Sequence, residues 1–112
     1  MCSKFKFIAR VYFLENRVGG REKYASSGYR PNLRVDENHL TSCIVVPLGN
    51  ISKMEPGEYY DVEIELPLWK EIEHHYQIIL NDVFKRDKQI QLSEGSRMIA
   101  IGIVLVQSSM VD

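Results

Sequence analysis

The sequence predicts a small β-barrel or sandwich carrying one amphipathic helix, and three observations predict it. Apolar and polar residues alternate over several short runs, the two-residue period of strands with one wet face. Turn signals built on glycine, proline and asparagine separate those runs at short spacing. After Pro67 the apolar period changes to three and four, the mark of a helix. At 112 residues, 45% hydrophobic and 26% charged, the chain has the size of one domain with a modest core, so residues 1–112 are read as a single unit.

From Phe5 to Leu14 the aromatic and β-branched content favours a central strand. A turn through Gly19-Gly20 and a polar loop lead to YRPNLRV, where Leu33 and Val35 alternate with Arg34 and Asp36. After the DENH turn, LTSCIVVPL reads as a strand with Leu40, Ile44 and Val46 available to the core, ended or placed at an edge by Pro47. Gly49-Asn50 and Pro56-Gly57 are turn signals, the second fitting a type II turn. Tyr60, Val62, Ile64 and Leu66 then alternate with Asp61, Glu63 and Glu65, giving one buried face and one row of carboxylates. That row reads as a solvated strand face, because neighbouring carboxylates without a partner base specify no reaction.

Trp69, Ile72, Tyr76, Ile79, Leu80, Val83 and Phe84 recur at helical spacing, which predicts a helix over residues 68–85 with Lys85-Arg86 at the favourable end of its dipole. His74 and His75 are sequence neighbours about 100° apart on that helix, so they lack the i, i+4 spacing of a metal pair and no metal site is expected. Ile90 and Leu92 point inward from the next strand, SEGSR turns, and MIAIGIVLV closes the fold against the first strand. Gly102 within that last run marks a bulge or a close backbone approach.

Charge is unevenly distributed along the chain. Residues 1–34 carry eight Lys/Arg against two Asp/Glu, whereas residues 35–82 carry two against ten. Such a split supplies a basic face for an anionic partner, or lets the two signs neutralise each other on folding. No run approaches the roughly 18 apolar residues of a membrane span, and the basic N-terminus lacks a signal-peptide core. The expectation is a soluble cytoplasmic protein with no membrane partner, in which Cys2 and Cys43 are reduced thiols. Nothing in their spacing requires a disulfide.

The candidate binding stretch is Gly19 to Pro31, where turn glycines and a fixed proline display Arg21, Lys23 and Arg30 beside the sheet. Its motifs belong to a longer series, which runs from Phe5 and Val11-Tyr12 through Gly19-Gly20-Arg21 and Gly28-Tyr29-Arg30-Pro31 to Thr41 and Ile44. It continues with Met54, Pro56-Gly57, Glu94-Gly95, Arg97 and Gly102. In this order and spacing, over residues 5–106, the series resembles the C-terminal, third domain of elongation factor Tu and related translational GTPases, standing alone. The resemblance implies a six-stranded antiparallel Greek-key β-barrel that, in the parent factor, helps hold the T-stem of aminoacyl-tRNA and packs against the GTPase domain. It also implies a binding set of Arg21, Lys23, Arg30, Glu94, Gly95 and Arg97, an arginine and exposed amides being suited to phosphate and ribose.

The chain departs from the family at Asp36, where a basic residue is usual, at Ser42, Ser96 and Ala100, where glycine is usual, and at Ser93, which replaces an arginine. Between Pro67 and Glu94 it carries about 14 residues more than the family, which make up the helix, and a connection of that kind lies on the surface. Trp69, Tyr76 and Phe84 on one face mean that the insertion covers something: it caps the barrel, or it forms a homodimer or partner surface. No GxxxxGK[ST] loop is present and no Ser, His, Asp or Cys spacing suggests a nucleophile, so neither enzyme activity nor a cofactor is expected. The reading is a non-catalytic module engaging a translation factor or a protein that recognises one, as a decoy, regulator or immunity-type protein. The alternative is RNA binding to the tRNA backbone through the basic loop.

Overall fold

The computed structural model describes residues 5–15, 23–37 and 39–107. Cys2, the Gly19-Gly20 turn and Arg21 lie outside them. The elements are β1 (Phe5–Phe13), β2 (Ala25–Ser26), β3 (Asn32–Asp36), β4 (His39–Ser42), β5 (Ile44–Pro47), β6 (Lys53–Met54), β7 (Tyr59–Leu66), α1 (His74–Val83), β8 (Gln89–Glu94) and β9 (Arg97–Gln107). Seven strands form one antiparallel sheet in the order β4-β3-β8-β9-β1-β7-β5, curled into a half-barrel, and β2 pairs with β6 as a separate ribbon.

Alternation in β1 sets the core. Phe5, Phe7, Ala9, Val11 and Phe13 are buried, and their partners Val62, Ile64 and Leu66 on β7 are buried in register with them. Two bulges bend β9. The register slips between Ile8 and Ala9 against β1, and between Leu92 and Ser93 of β8, and such slips raise the local twist that curls a sheet. Gly102 sits in neither slip. A Cβ there would lie 2.6 Å from the Arg10 carbonyl oxygen, so this glycine serves the close approach of β9 to β1.

The β4–β5 segment corrects one expectation. Leu40 and Val46 are exposed, while Cys43 and Val45 are buried, so the inward set is the opposite parity from the one expected. The run is apolar on both parities, and a one-residue change of register exchanges the two faces. The choice is made by backbone pairing with the residues ahead of β3. The Gly28 amide donates to the Val45 carbonyl at 2.9 Å, the Val45 amide to Tyr29 at 2.8 Å and the Cys43 amide to Pro31 at 3.0 Å. Burial pushes the Cys43 thiol up to about 12, which makes it a small packing group rather than a nucleophile.

The expected continuous helix over 68–85 is also corrected. A 3₁₀ turn spans Trp69–Glu71, Ile72 is extended at φ −75° and ψ 134°, and α1 begins only at His74. The break lets two aromatic anchors reach the core from different directions. Trp69 stacks on Phe5 at 4.8 Å and Phe84 on Phe7 at 5.4 Å between ring centroids. The Gln77 side-chain amide donates to the Trp69 carbonyl at 2.6 Å and ties the two pieces together. Leu80 is buried, Ile79 is 38% exposed, and Lys85-Arg86 follow the C-cap at Phe84 instead of ending the helix. Among the described residues no helix is long and apolar enough to cross a membrane.

Candidate binding site

The turn motifs meet at one end of the sheet. Gly28 has φ 87°, a conformation open to glycine, and it directs Tyr29 onto Val45 as an isolated bridge. At the far end of β8, Gly95 with φ 59° takes the first central position of a two-residue hairpin, where a primed turn needs positive φ. The Tyr29 hydroxyl donates to Glu94 Oε2 at 2.5 Å, and Arg97 Nη2 donates to Glu94 Oε1 at 3.3 Å. GYRP and EGxR are therefore joined through the Glu94 carboxylate, 65 residues from Tyr29 along the chain. Beside them Ser93 is buried with no hydrogen-bond partner for its Oγ.

Of the expected binding set, Glu94, Gly95 and Arg97 come together through the hairpin, and Arg30 follows Tyr29 on an exposed position. Lys23 is exposed ahead of β2, and Arg21 lies outside the described residues. The expected alternative surface of Trp69, Tyr76 and Phe84 is not one surface. Trp69 and Phe84 are 4% and 1% exposed and belong to the core, while Tyr76 reaches the β3–β4 hairpin.

That contact was not visible in the sequence. Tyr76 bonds His39 Nε2 at 2.6 Å, and His39 Nδ1 bonds Asp36 Oδ1 at 2.8 Å. A proton on Nδ1 satisfies both bonds, with Nε2 accepting from the tyrosine hydroxyl. The chain of three groups orients an imidazole beside a cleft of about 140 Å³ walled by Val35, Leu40, Ile72 and Leu80, and it fastens α1 to the hairpin. His39 carried no signal because its partners lie three and 37 residues away with no motif spacing.

The carboxylate row on β7 proves to be paired rather than only solvated. Arg10 donates to both oxygens of Asp61, at 2.8 and 3.2 Å, and Lys6 lies 3.6 Å from Glu63 and 3.9 Å from Glu65. The Arg10 guanidinium holds the Asp61 carboxyl below its ordinary range, chiefly through the hydrogen bond. Part of the basic N-terminal charge thus faces the acidic middle of the chain. Among the described residues no group of three or more His, Cys, Asp or Glu is arranged to hold a metal ion.

A wider groove of about 560 Å³ crosses the outer face of β8, β9 and β1. Its existence follows from strand order, which alternation within each strand does not reveal. No known protein-family model matches the chain.

Proposed function

We propose that the chain is a non-catalytic binding module with the barrel of the third domain of elongation factor Tu. The observation that carries this reading is the Tyr29–Glu94–Arg97 network, which joins two turn motifs on which the resemblance rests. Backbone pairing supports it as well. With β4 and β5 taken as one strand interrupted at Cys43, and Gly28–Pro31 taken as the start of β3, neighbours run β1-β7-β5/β4-β3-β8-β9 and return to β1. That order is the one a six-stranded antiparallel barrel requires. Such a module displays recognition surfaces of the factor without its GTPase, so it competes for the factor or for proteins that recognise it, as a decoy, regulator or immunity-type protein in the cytoplasm.

The test is competition. Immobilised protein should retain purified elongation factor Tu or one of its binding proteins, and soluble protein should displace that complex. Retention no better than that of a variant with a scrambled turn surface would remove this reading.

A second reading is favoured by one observation: Lys23 and Arg30 are exposed, and no ion pair engages either among the described residues. These cations suit a tRNA backbone, with affinity that falls as salt rises. Filter binding to aminoacylated and deacylated tRNA at low and moderate salt separates the two, since the protein-binding reading requires none. Homodimerisation through α1 has Ile78 and Ile79 as its exposed apolar residues among those described, and is read by sedimentation.

A further inference from the structure

The outer-face groove has a composition that neither reading above uses. Pairing across the sheet arranges its side chains in rows. Gln91, Ile101, Tyr12 and Tyr59 are successive partners on β8, β9, β1 and β7, and Gln89, Ile103 and Arg10 run beside them. Arg34, one residue past the Leu33–Leu92 pair, continues the first row on β3. Five strands at the usual spacing make a path of about 19 Å, the reach of a few extended nucleotides.

Along this path the apolar floor is Ile101 and Ile103, and the groove lining includes Arg10, Arg34 and Lys88 but no carboxylate. Asp61 beside it holds Arg10 by Nε and Nη2, leaving Nη1 with no partner among the described residues. Arg34 uses only Nη1, on the backbone carbonyls of Asp36 and Glu37, and Lys88 has no side-chain partner among the described residues. Tyr12 and Tyr59 sit 4.8 Å apart between centroids, and Tyr59 is 68% exposed. An isolated exposed tyrosine needs no explanation. An exposed tyrosine against a half-buried one, with two glutamines and three cations around them over an aliphatic floor, combines a stacking platform with a backbone-neutralising track.

We propose that this groove binds single-stranded nucleic acid, bases stacking on Tyr12 and Tyr59 while Arg34, Lys88 and Arg10 meet phosphates. Gln89 and Gln91 supply donors and acceptors for base edges or a ribose hydroxyl. The occupant is chosen by charge: an acidic polymer complements a lining of three cations, and flat bases fill a floor of isoleucines beside two phenol rings. Duplex fits poorly, because its bases are not free to stack. The proposal uses none of the turn motif residues, and of the groove lining only Tyr12 and Gly102 belong to the series on which the elongation factor resemblance rests.

Fluorescence anisotropy tests it with labelled oligouridylate and oligothymidylate of about 12 nucleotides, within the usual site size for such surfaces. Both should bind, and RNA binding tighter than DNA would assign the glutamines to the ribose hydroxyl. With two phosphates neutralised by Arg34 and Lys88, Arg10 being already paired to Asp61, raising salt from about 50 to about 200 mM should weaken binding about 7-fold. Tyr59→Ala should weaken it about 5- to 150-fold, the range found for removing one stacking partner, and Lys88→Ala should flatten the salt dependence. Both positions are exposed, and circular dichroism should show both variants folded at the assay temperature.

Lys23→Ala with Arg30→Ala, in the loop, is the arm that detects binding through the loop instead of the groove. Absence of binding at about 50 mM salt, where phosphate contacts are strongest, would overturn the proposal. So would equal affinity for duplex, or loss of binding only in the loop variant. If no oligonucleotide binds but Tyr59→Ala abolishes retention of elongation factor Tu or its binder, the groove belongs to that protein partner and this assignment is wrong.

Discussion

Two aromatic pairs in this protein have the same separation, 4.8 Å between centroids, and opposite roles. Phe5 and Trp69 stack with planes 22° apart inside the core, whereas Tyr12 and Tyr59 are tilted by 45° on the outer face. The rings of the first pair are closed over by β1, β7 and the 3₁₀ turn. Those of the second face a groove with cations and amides around it. Ring proximity alone therefore does not separate packing from recognition. What separates them is whether polar capacity around the rings is already used.

The sharpest way to break this contrast is to truncate one member of each pair. Trp69→Ala should destabilise the protein by about 3–5 kcal/mol, the usual loss when a large aromatic leaves a core. Tyr59→Ala should cost at most about 1 kcal/mol, the scale of one cross-strand pair. Urea denaturation gives both numbers. Equal losses would erase the distinction, and a stably folded Trp69→Ala protein that has lost only its oligomeric state would make the 3₁₀ turn an interface instead of a cap.

The same contrast explains what was legible in the sequence. Strands β7 and β8 were readable because polar and apolar residues alternate cleanly in them, β1 because of its aromatic and β-branched content, and Gly57 at φ 85° bears out the Pro56-Gly57 turn. The inward parity of β4–β5 was not readable, since LTSCIVVPL offers apolar residues on both faces and tertiary pairing decides. The ribbon of β2 with β6 was missed because two residues carry no period. For the site, Glu94, Gly95 and Arg97 are local in sequence and were named together. Tyr29 as the partner of Glu94, the Asp36–His39–Tyr76 chain and the groove all depend on which strands are neighbours, and no single strand records that.

Beneath the groove, Gly102→Ala probes how tightly β9 lies on β1. Its added methyl would meet a backbone carbonyl, which cannot rotate away as a flexible side chain would, so the strands must separate. A loss of about 1–3 kcal/mol is expected, the range for overpacking. Calorimetry of the variant measures it, and an unchanged melting temperature would mean that the floor of the groove is pliable. Ser93→Ala acts in the other direction. Its buried hydroxyl has no partner, so removal should stabilise the protein by about 1 kcal/mol, the lower part of the desolvation penalty for an unsatisfied group. A loss of stability would show that the hydroxyl is satisfied in solution.

The smallest expected effect is a pH dependence at the edge of the groove. Arg10 lowers the folded-state value of Asp61 beneath the roughly 3.9 of an unfolded aspartate. A depressed carboxylate contributes stability that is present above the unfolded value and is lost as pH falls through the folded value. The parent should therefore lose slightly more stability than Asp61→Asn as pH drops below about 4, and the two curves should run parallel at neutral pH. The effect is small because both partners are exposed and solvent screens them, and added salt should shrink it further. Thermal melts of the two proteins between about pH 2 and about pH 7 give the difference curve, in which common titrations of other carboxylates cancel. A flat difference would mean that the Arg10–Asp61 pair is not populated in solution. Arg10 would then be free of its carboxylate and available in full to an anion in the groove.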